Sequence, residues 1–120
     1  APTAALASLP FAPDLVIPAA EAMRTRYCDD LYGRYGFLDA FNPSFDYRVP
    51  LATGKVVPGK GWFASDHLGI DQGPILAMIA NHRDGFVWHV MMRNPYIRRG
   101  LERAGFEGGW LAAPSPASTR

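Results

Sequence analysis

The chain has 120 residues, a length that fits one domain. Its 48% hydrophobic and 19% charged content is that of a folded globular protein rather than a disordered one, and a net charge of +1 gives no case for nucleic acid or an anionic membrane. No apolar run reaches the roughly 18 residues needed to span a bilayer, and the single Cys28 excludes an internal disulfide and fits no metal-site spacing.

The chain opens on Ala1, with no basic region ahead of an apolar one, so no signal peptide is expected. Either the N-terminus has been processed or the sequence is a piece of something longer, and the pass along the chain favours the second. Residues 1–18 hold four prolines (Pro2, Pro10, Pro13, Pro18), which argues against a long helix. Phe11, Leu15, Val16 and Ile17 still need burial. An irregular segment lying against a core is expected there.

The first clear helix is predicted over residues 19–32. Pro18 stands at its start, Glu21 in its first turn, and Met23, Tyr27 and Leu31 form an apolar stripe. Gly33 is its expected stop. Residues 35–45, YGFLDAFNPSF, set Asp39, Phe41 and Asn42 among aromatic rings. Rings that stack on sugar faces and polar groups that bind hydroxyls make a carbohydrate site. Equally, Asp39 and Asn42 suit a packed loop in which they satisfy backbone groups.

Residues 46–68 show no helical period. Residues 47–49 and 55–57, joined through Ala52-Thr53-Gly54, suggest a small hairpin. A long irregular stretch is usually functional, which makes Trp62 and His67 candidates for lining a cleft. The competing role of His67 is a hydrogen-bonded structural residue, and no second histidine stands at metal-binding spacing from it.

A helix is expected from about Gln72 to Arg83, its mouth formed by the stretch Gly69-Ile70-Asp71-Gln72-Gly73-Pro74. Pro74 suits a first turn, and Asp71 then falls where a capping residue would. The run from Ile75 is apolar on more than one face, which predicts a buried helix. An acid and an amide at the mouth of such a helix serve either chemistry or an ordinary cap. Asp84-Gly85 marks a turn, residues 86–92 a second apolar helix, and Asn94-Pro95 the start of a last helix over residues 95–104. Residues 112–120 read as a flexible tail. No sheet, glycine-rich phosphate loop or nucleophile elbow stands out. Three neighbours hardly cover so apolar a helix, so an incomplete domain is expected.

The strings APTAALASLPFAP, YGRYGFLDAFNPSF and LGIDQGPILAMIANHRDGFVWHVMMRNPYIRRGLERAGF resemble the bacterial glucoamylase-like family. That family includes endo-β-1,2-glucanases and a domain of cyclic β-1,2-glucan synthases. The resemblance covers residues 1–111 and looks like the C-terminal third of the family's domain. It implies an all-α fold, the closing part of an (α/α)6 toroid with long irregular loops, and a remainder of the domain N-terminal to residue 1. It implies a glycoside hydrolase acting on a β-glucan with inversion, free of metal and cofactor, and periplasmic or secreted. This fragment alone is then expected to be inactive.

On the matched positions, Asp71 is implied as the base or an essential sugar-binding acid, with Asp39 the second matched acid. Gln72, Asn42, Phe41, Trp62 and His67 are implied to bind or line the substrate. The general acid is expected in the remainder of the domain. One departure stands out: the family usually has Glu before the Asn of ILAMIANHR, and Ala80 takes its place here. That Glu either supports the site in relatives or is structural. The alternative reading is a non-catalytic carbohydrate-binding or structural toroid protein. A complete small helical domain with its own function is a third.

Overall fold

The computed structural model describes residues 1–112. Helices dominate: α1 (Pro2–Ala7), α2 (Pro13–Tyr27), α3 (Gly69–Asp84), α4 (Phe86–Met92) and α5 (Pro95–Arg103). Between α2 and α3 lie five short strands: β1 (Tyr32–Gly33), β2 (Gly36–Phe37), β3 (Phe41–Asn42), β4 (Lys55–Val57) and β5 (Gly61–Phe63). These strands correct the purely helical expectation. The tail predicted over residues 112–120 lies, beyond Ala112, outside the described residues. Ala112 itself ends a 3-10 turn, Gly109–Ala112.

The prolines were misleading about where helices begin. Pro13 is the first residue of α2, as a proline tolerates, but Pro18 lies inside the helix. The segment before Pro18 is therefore two helices, not an irregular strap, and α2 ends at Tyr27 instead of running to residue 32. The same shift occurs in α3, where the helix starts at Gly69 and Pro74 is interior. Gly73 eases the second case, because the residue before a proline normally clashes through its Cβ. Other boundaries follow local chemistry. Gly85 ends α3 in a left-handed conformation (φ 69°), and the Asn94 side chain caps α5 by accepting from the Tyr96 N–H at 2.9 Å. Asn81, buried in α3, accepts from the Trp88 N–H at 3.0 Å and so fixes the start of α4.

The sheets are a two-residue hairpin, β1–β2, and a three-stranded antiparallel sheet in the order β3-β5-β4. The predicted hairpin between residues 47–49 and 55–57 does not form. Instead β4 pairs with β5 through Val57-Pro58-Gly59-Lys60, with the Lys60 N–H on the Val57 carbonyl at 3.0 Å. Proline second and a positive-φ glycine third (Gly59, φ 73°) is what a type II turn requires.

The core sits where α2 meets these strands. Tyr27, Leu31, Phe37 and Phe63 are buried together, with Met23, Leu6 and Phe41 packed around them. Asp30 clamps the edge of this core. Its two carboxylate oxygens accept from Lys55 at 2.8 Å and Lys60 at 2.7 Å, one lysine from each side of the β4–β5 turn. The Lys55 and then the Lys60 hydrogen bond hold the Asp30 carboxyl below its usual range. A depressed carboxyl adds stability above its unfolded pKa of about 3.9 and loses it as pH falls through the lower folded value. Wild type should therefore melt above Asp30→Asn at pH 7, and the difference should close as the pH drops below about 3.9. A Tm gap that persists unchanged in acid would contradict this clamp.

The second half of the molecule is different. Helix α3 packs on α1 and α4, yet of its residues only Asn81 is buried. Ile70 is 82% and Leu76 73% exposed, and Phe86, Val90, Phe11 and Leu15 are exposed as well. The buried helix expected from the apolar run is thus uncovered. The radius of gyration is 19.3 Å with a long axis of 64 Å, against about 13 Å for a compact domain near this length.

Candidate active site

Asp39 reaches its place by strand pairing. Beyond the β3–β5 pairs Asn42–Trp62 and Phe41–Phe63, the ladder continues: the Ala64 N–H donates to the Ala40 carbonyl at 2.9 Å and the Asp39 N–H to the Asp66 carbonyl at 3.1 Å. That delivers Asp39 to the end of the sheet facing the start of α3. Asp71 lies in the first turn of α3, where the helix dipole favours a carboxylate. Asp71 is one of the charges that disfavour ionisation of Asp39.

The position of Asp71 bears on the capping role. The residue that opens α3 is Leu68, and no side chain caps the helix. The backbone N–H groups of Asp71 and Gln72 are both taken by the Leu68 carbonyl. Asp71 is therefore not a capping residue, and its Oδ2 is buried without a hydrogen-bond partner among the described residues. A buried acceptor left unpaired costs about 1–3 kcal/mol, a cost that a carboxylate with only a structural task would not be expected to carry.

Burial raises the Asp39 carboxyl above its ordinary value, and the Asp71 charge adds to this. Asp66 contributes in the same direction and the Ala1 ammonium opposes it. Gln72, one residue on from Asp71, donates from Nε2 to the Phe37 carbonyl at 2.9 Å. This bond ties the first turn of α3 to the strand that leads into Asp39. His67 packs edge-on against Tyr35 at 5.7 Å, with its Nε2 3.4 Å from the Gly36 carbonyl.

The remaining candidates separate into two settings. Asn42 and Trp62 line a pocket of about 380 Å³ with Phe45, Leu51, Ala52 and Thr53. The Trp62 indole N–H donates to the Thr53 carbonyl at 3.0 Å, fixing the ring as a wall. Asn42 accepts from the Ser44 N–H and hydroxyl, the turn chemistry weighed for it in the sequence. Asn42 lies three positions along the extended chain from Asp39, roughly 10 Å. Phe41 instead turns to the core, stacked on Phe63 at 6.0 Å and tilted on Tyr27 at 4.8 Å. A second pocket of about 450 Å³ adjoins Gln72 and is lined by Tyr32, Tyr35, Phe37, Ile75 and Leu76. Phe45, Thr53 and Tyr35 were not singled out in the sequence; the aromatic density of residues 32–47 is the signal that marks Phe45 and Tyr35. Among the described residues no group of three or more His, Cys, Asp or Glu side chains could hold a metal ion.

Asp71 and Gln72 thus open α3 beside a pocket walled by aromatic rings. The Glycoamylase model, which describes a glucoamylase family, matches residues 1–95, and the chain belongs to that family. It is 32% identical over 103 residues to the exo-β-1,2-glucooligosaccharide sophorohydrolase (non-reducing end) of Parabacteroides distasonis, covering 86% of this chain and 12% of that protein. It superposes with a TM-score of 0.70 on the endo-β-1,2-glucanase of Chitinophaga pinensis in its sophorotriose and glucose complex, at 32% identity over 92% of this chain and 23% of that one. A glucoamylase-family protein of Bacteroides uniformis gives the same TM-score at 40% identity, again over 92% of this chain and 23% of its own. The chain thus spans between about an eighth and a quarter of these relatives.

Proposed function

We propose that the chain is the C-terminal part of a glycoside hydrolase that cleaves a β-1,2-linked glucan with inversion. The observation that carries this reading is Asp71: a carboxylate in the first turn of a helix that does not cap it, with a buried oxygen lacking any donor among the described residues. Two relatives whose names specify β-1,2-linked glucose substrates support the linkage.

In this reading Asp71 is the general base. It takes a proton from a water whose oxygen attacks the anomeric carbon. The bond to the leaving sugar breaks with its electron pair on the glycosidic oxygen, which a general acid protonates. That acid stands on the opposite side of the bond, in the remainder of the domain, because inversion needs the carboxyls roughly 6.5–9.5 Å apart. Trp62 and Asn42 bind a sugar in their pocket, Phe41 supports that wall from the core, and Gln72 and His67 shape the cleft beside the acids.

The uncovered faces of α2, α3 and α4 fit the closing part of an (α/α)6 toroid whose other helices precede residue 1. An elongated chain with so many large apolar side chains in solvent, Ile70 and Leu76 among them, supports this, since extensive exposed apolar surface normally meets a partner. The segment alone is then inactive, and the whole enzyme works in the periplasm or outside the cell, where such glucans are met. The test is reducing-end release by the full-length gene product from linear β-1,2-glucan, laminarin and cellodextrins. Release from the first and little from the others is expected. Binding of β-1,2-glucan without release would instead favour a non-catalytic carbohydrate-binding protein.

A further inference from the structure

We infer that Asp66 is a positioning residue for the pocket of Asn42 and Trp62: through Thr53, its carboxylate holds the Trp62 ring in place as the pocket wall. The inference rests on the reading of that pocket as a sugar site. The relay is short and continuous. Asp66 Oδ2 accepts from the Thr53 hydroxyl at 3.0 Å, and the Thr53 carbonyl accepts from the Trp62 indole N–H at 3.0 Å. Thr53 thus meets the carboxylate with its side chain and the ring with its backbone. It also lines the pocket itself, beside Leu51 and Ala52.

The local chain needs such a latch. Residues 45–54 form neither helix nor strand, and the pairing of β4 with β5 stops at Lys55 and Phe63. Gly54 comes next, at φ 76°, packed so closely that a Cβ there would stand 2.4 Å from the Phe63 carbonyl oxygen and 2.6 Å from Trp62 Nε1. Only a glycine lets the backbone approach the ring in this way. Beyond it, side-chain bonds take over from the ladder. The Thr53 hydroxyl has one proton, which goes to Asp66, so the Ser65 hydroxyl is the donor in the longer contact to Thr53 at 3.4 Å. An ionised acceptor makes the Asp66 bond the stronger of the two. Asp66 is itself anchored, because its carbonyl accepts from the Asp39 N–H at 3.1 Å. Its backbone therefore serves Asp39 while its side chain serves the pocket, and a side-chain substitution leaves the first bond in place. Both Asp66 and Thr53 are exposed, so losing their bond loosens the loop and not the core.

The test uses the full-length gene product labelled with 15N at its tryptophan indoles. The Trp62 resonance is identified by its loss in Trp62→Phe. Its N–H should exchange with solvent about three- to tenfold faster in Asp66→Ala and in Thr53→Val than in wild type, the usual worth of one hydrogen bond. Asp66→Asn should exchange as wild type does, because its amide oxygen still accepts from Thr53. An exchange rate that Asp66→Ala leaves unmoved would overturn the relay. Kinetics on linear β-1,2-glucan give the second readout. Asp66→Ala should raise KM by about three- to tenfold with kcat little changed, and Asp66→Asn should restore KM. Because Asn keeps the acceptor and removes the charge, that rescue separates the bond to Thr53 from the charge that Asp66 presents to Asp39. A fall in kcat at unchanged KM, in Ala and Asn alike, would mean that Asp66 acts on the acids, and would overturn its role at the pocket. A wild type that leaves every glucan intact, yet whose indole loosens in Asp66→Ala, would refute the hydrolase reading and leave the relay standing.

Discussion

Asp71→Asn should lower reducing-end release from linear β-1,2-glucan by the full-length gene product by about 10²–10⁴-fold, the usual worth of a positioned general base. The substitution is nearly isosteric. It removes the charge and the proton-accepting power of the group but keeps its volume in the first turn of α3. Because Asp71 caps nothing, the helix loses no capping bond. Folding should therefore be retained and the loss should appear in kcat. Glucan affinity, read by titration calorimetry, should change little. The opposite pattern, a near-normal rate with a lowered Tm, would return Asp71 to a structural role.

Phe63→Ala should be the most damaging change to the fold. Phe63 is fully buried at the centre of the aromatic cluster, edge-on to Tyr27 at 5.4 Å and stacked on Phe41 at 6.0 Å. Removing a buried phenyl ring costs the lost transfer energy plus the cavity left behind, about 3–5 kcal/mol. The substitution also acts on the site. Phe63 precedes Ala64, whose N–H fixes Ala40, the neighbour of Asp39. A Tm lower by about 3–5 °C, together with reduced glucan cleavage, is expected in thermal unfolding and rate measurements on the full-length product. A shift within a degree or two would mean that this cluster is not the core that positions the acids.

What the sequence disclosed was local. Asn94-Pro95 announces α5 and Asp84-Gly85 the end of α3, because capping and left-handed glycine chemistry are decided by a few adjacent residues. Tyr27 and Leu31 were picked from the stripe that does reach the core, although the helix itself stops at Tyr27. Pro18 and Pro74 were read as helix starts because a first-turn proline is the common case. Each instead sits a turn and a half inside its helix, where contacts with neighbouring elements outweigh a lost hydrogen bond. The Pro58-Gly59 turn signal competes in the sequence with Ala52-Thr53-Gly54, and the chain uses the former. The approach of Asp39 to Asp71 was not legible. It depends on β3 pairing with β5, and on Gln72 reaching Phe37, both long-range choices that no local pattern encodes. The uncovered face of α3 has the same origin: an all-round apolar helix states that it wants neighbours, not which ones.

The most direct measurement of the central claim is proton NMR of the anomeric region while the full-length gene product acts on linear β-1,2-glucan. The account predicts new reducing ends that appear first as the α-anomer and then mutarotate, since a water activated by Asp71 attacks from the face opposite the leaving oxygen. New reducing ends that appear first as the β-anomer, or none at all, would contradict it.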